Sequence, residues 1–356
     1  MRKVALITLY DSNIGNRLQN YAVQQILQQH GFQSCTYWYT LKLTAAKKLK
    51  SAVKIILGCF ISRYRTCFVQ WKRKKRFEKF TEKHIKKGKK INVYKKIRFE
   101  DEFAYYVTGS DQVWHNWHNF EQELEYFYLQ FVPREKRIAF APSIGLNKFP
   151  DKDTEIHRRG LNGMKALSCR EKAGCELIQE LTGREAELLS DPTLLLDKSE
   201  WIKIEKKPEY EVSDKYILLY FLGRTESYVN HTINKYAEEH NCKIINIFDR
   251  NLEKQYLTAP DEFIYLIHHA AYIFTDSFHA CAFSIIFEKD FLVCSREEAA
   301  HEKMGTRIDN LFEKFQMESR WYVPNRQIDC CNYKKRKIIL EEEKKKADEF
   351  IDRYMK

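Results

Sequence analysis

Apolar residues along the chain gather in short runs that end repeatedly in clusters of Gly, Ser, Asp or Pro. "KVALITLY" near the start is an unbroken apolar run, as expected of a strand buried on both faces. The loop formers "DSNIGN" follow. In "RLQNYAVQQILQQHG" the residues Leu18, Tyr21, Ala22 and Ile26 then recur near helical spacing, and Gly31 ends the element. "SCTYWY" reads as the next strand. After a less regular stretch the same alternation returns in "FAYYVTGSD" (103–111), "KRIAFAPSIG" (136–145), "MKALSCREKAGCELIQELTG" (164–183) and "AELLSDPTLLL" (186–196).

A charged link, "DKSEWIKIEKKPEYEVSDK" (197–215), leads to a second alternating half. There the strand patterns "YILLYFLG", "KIINIF", "AYIFTD" and "DFLVCS" are separated by the helical patterns "ESYVNHTINKYAEEHN", "DEFIYLIHHA" and "ACAFSIIFEK". Strands alternating with helices predict parallel sheets built from βαβ units. The fold class is therefore α/β, with two Rossmann-like parallel-sheet domains facing a cleft. The predicted boundaries are 1–197, with a basic helical insertion at 42–100, then 198–332, then a charged C-terminal helix at 333–356. Ligands of such sheets bind beyond the carboxyl ends of the strands, so the cleft is the expected site.

The 356 residues suit two domains, and 44% apolar content suits packed structure throughout. "MRK" runs directly into the first strand pattern, without the flanks of a secretory leader. The longest apolar window, "AVKIILGCFI" (52–61), contains Lys54 and falls well short of the roughly 20 residues of a membrane span. A cytoplasmic protein is expected. Ten cysteines without a Cys-x-x-Cys pair read as reduced thiols, and the adjacent Cys330 and Cys331 are too strained to bridge readily.

Charge changes the picture in one place. Residues 42–100 hold 21 Lys and Arg against Glu78, Glu82 and Glu100, a net +18, which leaves −6 for the rest of a chain whose total is +12. "WKRKKRFEKFTEKHIKKGKK" suits an anionic surface, and Phe60, Phe68 and Trp71 are placed to dip into a lipid interface. Docking at the inner membrane is one expectation, and a solvated basic face is the plain alternative. No zinc-finger or RNP-type motif points to nucleic acid.

The stretch "YIFTDSFHACAFSIIF" (272–287) places Thr275, Asp276, Ser277, Phe278 and His279 between a buried strand, read at 271–275, and a helix, read at 280–287. A helix N-terminus there favours an anion, and His279 is placed to exchange a proton with a bound guest. "YYVTGSDQVWHN" repeats the design around Ser110 and Asp111, and "LSCREKAGCELI" sets Arg170 and Lys172 beyond another strand. Arg170 offers a planar fork for carboxylate or phosphate. Taken one at a time, the same residues also serve as ordinary helix caps and an interdomain salt bridge.

Six stretches in order resemble the polysaccharide pyruvyl transferase family: "DSNIGNRLQNYAVQQIL", "GSDQVW" (109–114), "SCREKAG" (168–174), "SDPTLLL" (190–196), "DEFIYLIHHAAYIFTDSFHACAFSIIF" (261–287) and "GTRIDNLF" (305–312). The resemblance implies a fold like that of two-domain GT-B glycosyltransferases. It also implies transfer of pyruvate from phosphoenolpyruvate onto a sugar of a bacterial surface polymer as a cyclic ketal. On this reading His279 is the general acid–base group, Arg170 and Lys172 neutralise the donor, and Asp276 orients His279 or takes a sugar proton. Ser277 and Phe278 frame the histidine, Ser110 and Asp111 line the opposite lobe, and Asn16 and Arg17 are candidates for acceptor contacts. The family pattern Phe-His-Gly-Thr is here Phe278-His279-Ala280-Cys281. Lipid-linked oligosaccharide acceptors would fit an inner-membrane location. No metal or cofactor is expected beyond the donor substrate. Two other readings stay open: a nucleotide-sugar glycosyltransferase, with Glu297 and Glu298 against the ribose, and a non-catalytic paralogue in polysaccharide assembly.

Overall fold

The computed structural model describes residues 1–10, 13–39, 45–116, 118, 120–296, 301–324 and 331–356, the side chains of 45, 46, 48 and 301–306 excepted. Glu297, Glu298, Cys330 and the start of the basic segment lie outside the described residues.

Two parallel sheets carry the chain. The first contains β1 (Arg2–Ile7), β2 (Phe32–Tyr39), β3 (Lys87–Ile91), β4 (Phe103–Thr108) and β5 (Arg137–Ala139), in the order β3-β2-β1-β4-β5. A bridge from Ile138 to Ala166 continues it toward the short pair β6 (Ser168–Cys169) and β7 (Glu187–Leu188). The second contains β8 (Tyr216–Tyr220), β9 (Lys243–Asn246), β10 (Tyr272–Thr275) and β11 (Phe291–Val293), in the order β11-β10-β8-β9. Every strand pairing is parallel. The order reverses between β1 and β4 in one sheet and between β8 and β10 in the other. Such switch points open a crevice at the carboxyl ends.

The apolar runs explain the sheets: Val4, Ala5, Leu6 and Ile7 are all fully buried, as are Ile217 and Leu218 of β8. The helix Ile14–Gln29 departs from a simple amphipathic pattern, because buried residues lie all around it. It packs against β2, the basic helix Arg65–His84 and the second-domain helix Pro260–His269. Two of its polar residues are tied to β2: Gln24 Nε2 donates to Thr36 Oγ1 at 2.8 Å, and Thr36 Oγ1 donates to Asn20 Oδ1 at 2.6 Å.

Within the basic insertion lie the helices Ala45–Leu57 and Arg65–His84 and the lysine-rich edge strand β3, where sequence reading expected helices alone. Lysines on an edge strand discourage pairing with another chain. The Arg65–His84 helix is also an interdomain tether. Arg65 and Lys72 pair with Glu253, Arg76 Nη2 reaches Glu262 at 2.5 Å, and Arg73 Nη1 donates to the Tyr256 carbonyl. Part of the +18 is thereby answered by second-domain acids, so the segment is not a uniform free cationic face.

The link at 197–215 is not loose. It forms the helix Lys198–Ile202, and Trp201 is fully buried, 4.8 Å from the Phe283 ring and 5.5 Å from Tyr21. One apolar core thus runs through both domains. The C-terminal helix Lys334–Met355 returns from the second domain to the first, where Phe350 meets Phe140 at 6.1 Å. No described helix is long and apolar enough to cross a membrane.

Candidate active site

Loops from the carboxyl ends of both sheets meet at the interface. After β1, Asn13 caps the helix Ile14–Gln29 by accepting from Gly15 N at 2.8 Å, which places Asn16 and Arg17 in the first turn. After β4 come Ser110 and Asp111, after β6 Arg170 and Glu171, and after β7 Ser190 and Asp191. From the second domain, β10 ends at Thr275, and the helix Phe278–Phe287 begins directly after Ser277. The helix starts two residues earlier than its sequence suggested, so His279 belongs to its first turn.

Asp191 is the hub. Its Oδ1 accepts from Thr193 N at 3.0 Å and Thr193 Oγ1 at 2.7 Å. Its Oδ2 accepts from Arg170 Nη1, receives Ser110 Oγ at 3.3 Å, and lies 4.0 Å from His279 Nε2. Burial pushes this carboxyl up, but Arg170, His279 and the Thr193 hydrogen bonds outweigh burial and hold it below the usual carboxylate range. Arg170 is correspondingly fixed. Its Nη2 lies 3.7 Å from Asp111, its Nε 4.0 Å from Glu171, and its guanidinium 4.9 Å from the centre of the Phe278 ring. Glu171 secures the neighbouring loop by accepting from Ser143 Oγ, Ile144 N and Gly145 N at 3.0, 2.7 and 2.9 Å.

His279 packs its ring on the backbone of Gly15, where a Cβ would overlap the imidazole. Burial lowers its pKa from the ordinary histidine value; Asp191 and Asp111 oppose that shift, and Arg170 and Arg307 add to it. Burial thus favours the neutral form of the imidazole.

A cavity of about 480 Å³ opens beside this cluster, with three walls. Arg170, Lys172, Ser190 and Asp191 come from the first domain; Phe278, Arg307 and Lys314 come from the second; Glu343 and Lys346 come from the C-terminal helix. A cleft between two lobes was expected, and the helix supplies a third side. Glu343 binds the walls together, accepting from Ser190 Oγ and Lys314 Nζ on Oε2 and from Lys346 Nζ on Oε1, each at 2.6 Å. His279 does not line this cavity; it reaches the cavity wall through Asp191.

The predicted residues are not all equivalent. His279, Arg170, Asp111 and Phe278 come together, and Asn16 Nδ2 donates to Asp111. Lys172 is exposed at the cavity rim. Arg17 is buried 3.9 Å from the centre of the Tyr10 ring, and Ser277 serves as the helix N-cap residue, its amide donating to Thr275 Oγ1 at 3.0 Å. Ser110 is fully buried and braces Asp191 and the Ala141 carbonyl, so it supports the site from behind. Asp276 requires correction. Its oxygens accept from Leu222 N, Gly223 N and Arg296 Nε at 2.7, 2.8 and 2.5 Å, all within the second domain. The carboxylate facing His279 is Asp191.

Asp191, Arg307, Gly15 and Glu171 were not assigned roles from sequence, although all four lie in the stretches "SDPTLLL", "GTRIDNLF", "DSNIGNRLQNYAVQQIL" and "SCREKAG" that carry the family resemblance. The Gly-Thr replacement at Ala280-Cys281 falls inside the helix Phe278–Phe287, where both side chains are fully buried and helical backbone makes no demand for glycine. Among the described residues Glu205, His268 and His269 have metal-ligand spacing, a grouping that sequence order conceals. They sit at the amino edge of β10, the opposite edge from His279.

Two parallel-sheet domains with convergent strand-end loops define a GT-B-like α/β protein. The fold is shared by a protein described as a UDP-N-acetylglucosamine 2-epimerase from Listeria monocytogenes, at TM-score 0.51 and 10% identity, over 98% of this chain and 91% of that one. UDP-GlcNAc 2-epimerase from Neisseria meningitidis aligns at TM-score 0.46 and 11% identity over 98% and 94%, and MurG from Acinetobacter baumannii at 0.38 and 10% over 99% and 92%. No curated protein sequence matches the chain. Residues 13–298 match the sequence model of the polysaccharide pyruvyl transferases, and the chain belongs to that family of transferases.

Proposed function

We propose that the protein moves pyruvate from phosphoenolpyruvate onto a sugar of a surface polysaccharide, or of its lipid-linked precursor, as a cyclic ketal. One observation carries this reading beyond family membership. Arg170 Nε and Nη2, Arg307 Nε and His279 Nε2 are buried nitrogens without hydrogen-bond partners among the described residues. Buried donors in that state are stabilised by an anionic guest. Arg307 is also pushed down to about 10, by burial first and then by its neighbour Arg170, so a negative charge beside its guanidinium relieves it.

The proton balance of the reaction suits one imidazole. Two sugar hydroxyls lose protons; one proton ends on C3 of the donor, making the methyl group, and the other leaves with phosphate. Protonating C3 makes C2 electrophilic, the first hydroxyl adds there, phosphate departs, and the second hydroxyl closes the ketal. His279 meets the cavity wall through Asp191. As the first hydroxyl adds to C2, its proton passes by way of that carboxylate to the imidazole and on to C3, and the second hydroxyl's proton takes the same route to the phosphate. Such a group contributes about 10²–10⁴ in rate.

The test is phosphoenolpyruvate-dependent phosphate release with a panel of glycan acceptors, alongside calorimetry of phosphoenolpyruvate against nucleotide sugars. Release that is lost in His279→Gln, with calorimetric binding of phosphoenolpyruvate, supports the proposal. Binding of a nucleotide sugar in place of phosphoenolpyruvate overturns it.

A further inference from the structure

The helix Ala45–Leu57 presents an apolar face to water. Leu49, Val53 and Ile56, with Phe60 just beyond the helix, are 68%, 45%, 61% and 85% exposed. The spacing of four and three residues sets Leu49, Val53 and Ile56 in one helical stripe, and Phe60 follows in the turn past its end. The opposite side of this element packs on the Arg65–His84 helix, with Gly58 against the Tyr64 carbonyl and the Phe68 side chain. The stripe is thus a face left uncovered among the described residues, in contrast to the tether helix behind it.

The electrostatic setting selects the occupant. From residue 12 to residue 77 the chain contains no Asp or Glu. Lys50 and Arg63 are exposed beside the stripe and Lys54 half-buried, and none of the three forms an ion pair among the described residues. A second copy docking isologously on this face would set cation against cation. Nucleic acid would meet the cations but leave the apolar stripe in water. A bilayer surface with anionic headgroups satisfies both, accepting apolar side chains below the phosphates and cations at them.

We infer that this helix is an in-plane membrane anchor that seats the protein on an anionic lipid surface, Leu49, Val53, Ile56 and Phe60 entering the interface. The inference is independent of the chemistry proposed for the active site.

The test is cosedimentation of the full chain with vesicles of phosphatidylcholine, with and without phosphatidylglycerol, at moderate salt and without donor or acceptor. The expected result is binding to the anionic vesicles, weakened about tenfold or more by Leu49→Glu/Phe60→Glu and also by Lys50→Glu/Lys54→Glu. Because all four side chains lie outside the core, circular dichroism and the thermal midpoint should match wild type, and phosphate release with a soluble acceptor should persist. Absence of vesicle binding, binding retained by Leu49→Glu/Phe60→Glu, or a dimer dissolved by that variant in place of vesicle binding would each overturn the inference.

Discussion

The Oδ2 oxygen of Asp191 stands 4.0 Å from His279 Nε2 while accepting a hydrogen bond from Arg170. A first-domain carboxylate thereby opposes the burial that lowers the pKa of a second-domain imidazole. Replacing it with a neutral isostere tests that coupling. In Asp191→Asn the larger raising influence on His279 is lost while Asp111, burial and the two arginines remain, so the imidazole should titrate at lower pH than in wild type. NMR titration of the ring, assigned by comparison with His279→Gln, checks this; an unchanged midpoint contradicts it.

Gly15 is the floor beneath the imidazole. In Gly15→Ala the new methyl group occupies space held by the His279 ring, so the ring must move. Misplacing an acid–base group by about 1 Å costs roughly a hundredfold in rate, and overpacking costs about 1–3 kcal/mol of stability. Turnover measured beside thermal melting should show a catalytic loss far larger than the stability change. Wild-type turnover would show that the contact does not set the position of His279.

Arg307 illustrates a trade between stability and binding. Its desolvated guanidinium faces Arg170, so Arg307→Ala should leave the thermal midpoint unchanged or raised. The same change should raise KM for the proposed donor, phosphoenolpyruvate, about ten- to hundredfold, the worth of a charge-assisted hydrogen bond. Steady-state kinetics and calorimetric melting together decide the matter. A destabilised variant with unaltered KM would assign Arg307 to structure alone.

Glu343 ties three walls of the cavity and makes the assembly acid-sensitive. Burial pushes its carboxyl up, but Lys314, Lys346 and Ser190 together hold it below the ordinary value. A carboxyl depressed in the folded state stabilises above its unfolded pKa of about 4.3, and that contribution is lost as pH falls through the folded value. Glu343→Gln should therefore cost about 3 kcal/mol near neutrality, as for breaking a buried pair, and progressively less as the pH falls below about 4.3. Urea unfolding near neutrality and below that pH measures the difference; an equal loss at both would exclude the charge as the cause.

Local pattern carried most of the architecture. Apolar runs such as "VALI" in β1 and "YILLY" in β8 are strands because both faces of each sheet are covered, and the Gly, Ser and Asp clusters after them mark the site edge. His279, Arg170 and Asp111 were legible for the same reason, since each follows a strand. Asp191 was harder to read because the sequence "SDPT" is also a plain helix start, and its Oδ1 does cap Thr193. Gly15, Arg307 and Glu343 gain their roles only from partners far along the chain, which spacing cannot reveal. The basic segment misled in one respect: counting charges did not show that Glu253 and Glu262 answer Arg65, Lys72 and Arg76.

The return of the Lys334–Met355 helix to the first domain imposes an order on synthesis. Phe140 waits for Phe350, and Lys165 for the Tyr354 carbonyl at 2.8 Å, until the ribosome has added the whole second domain. A nascent first domain emerges with that apolar side uncovered until its cover arrives, an exposure that favours aggregation. The amino-terminal half is thus a dependent partner in folding, and a fragment ending near residue 197 would collect in inclusion bodies.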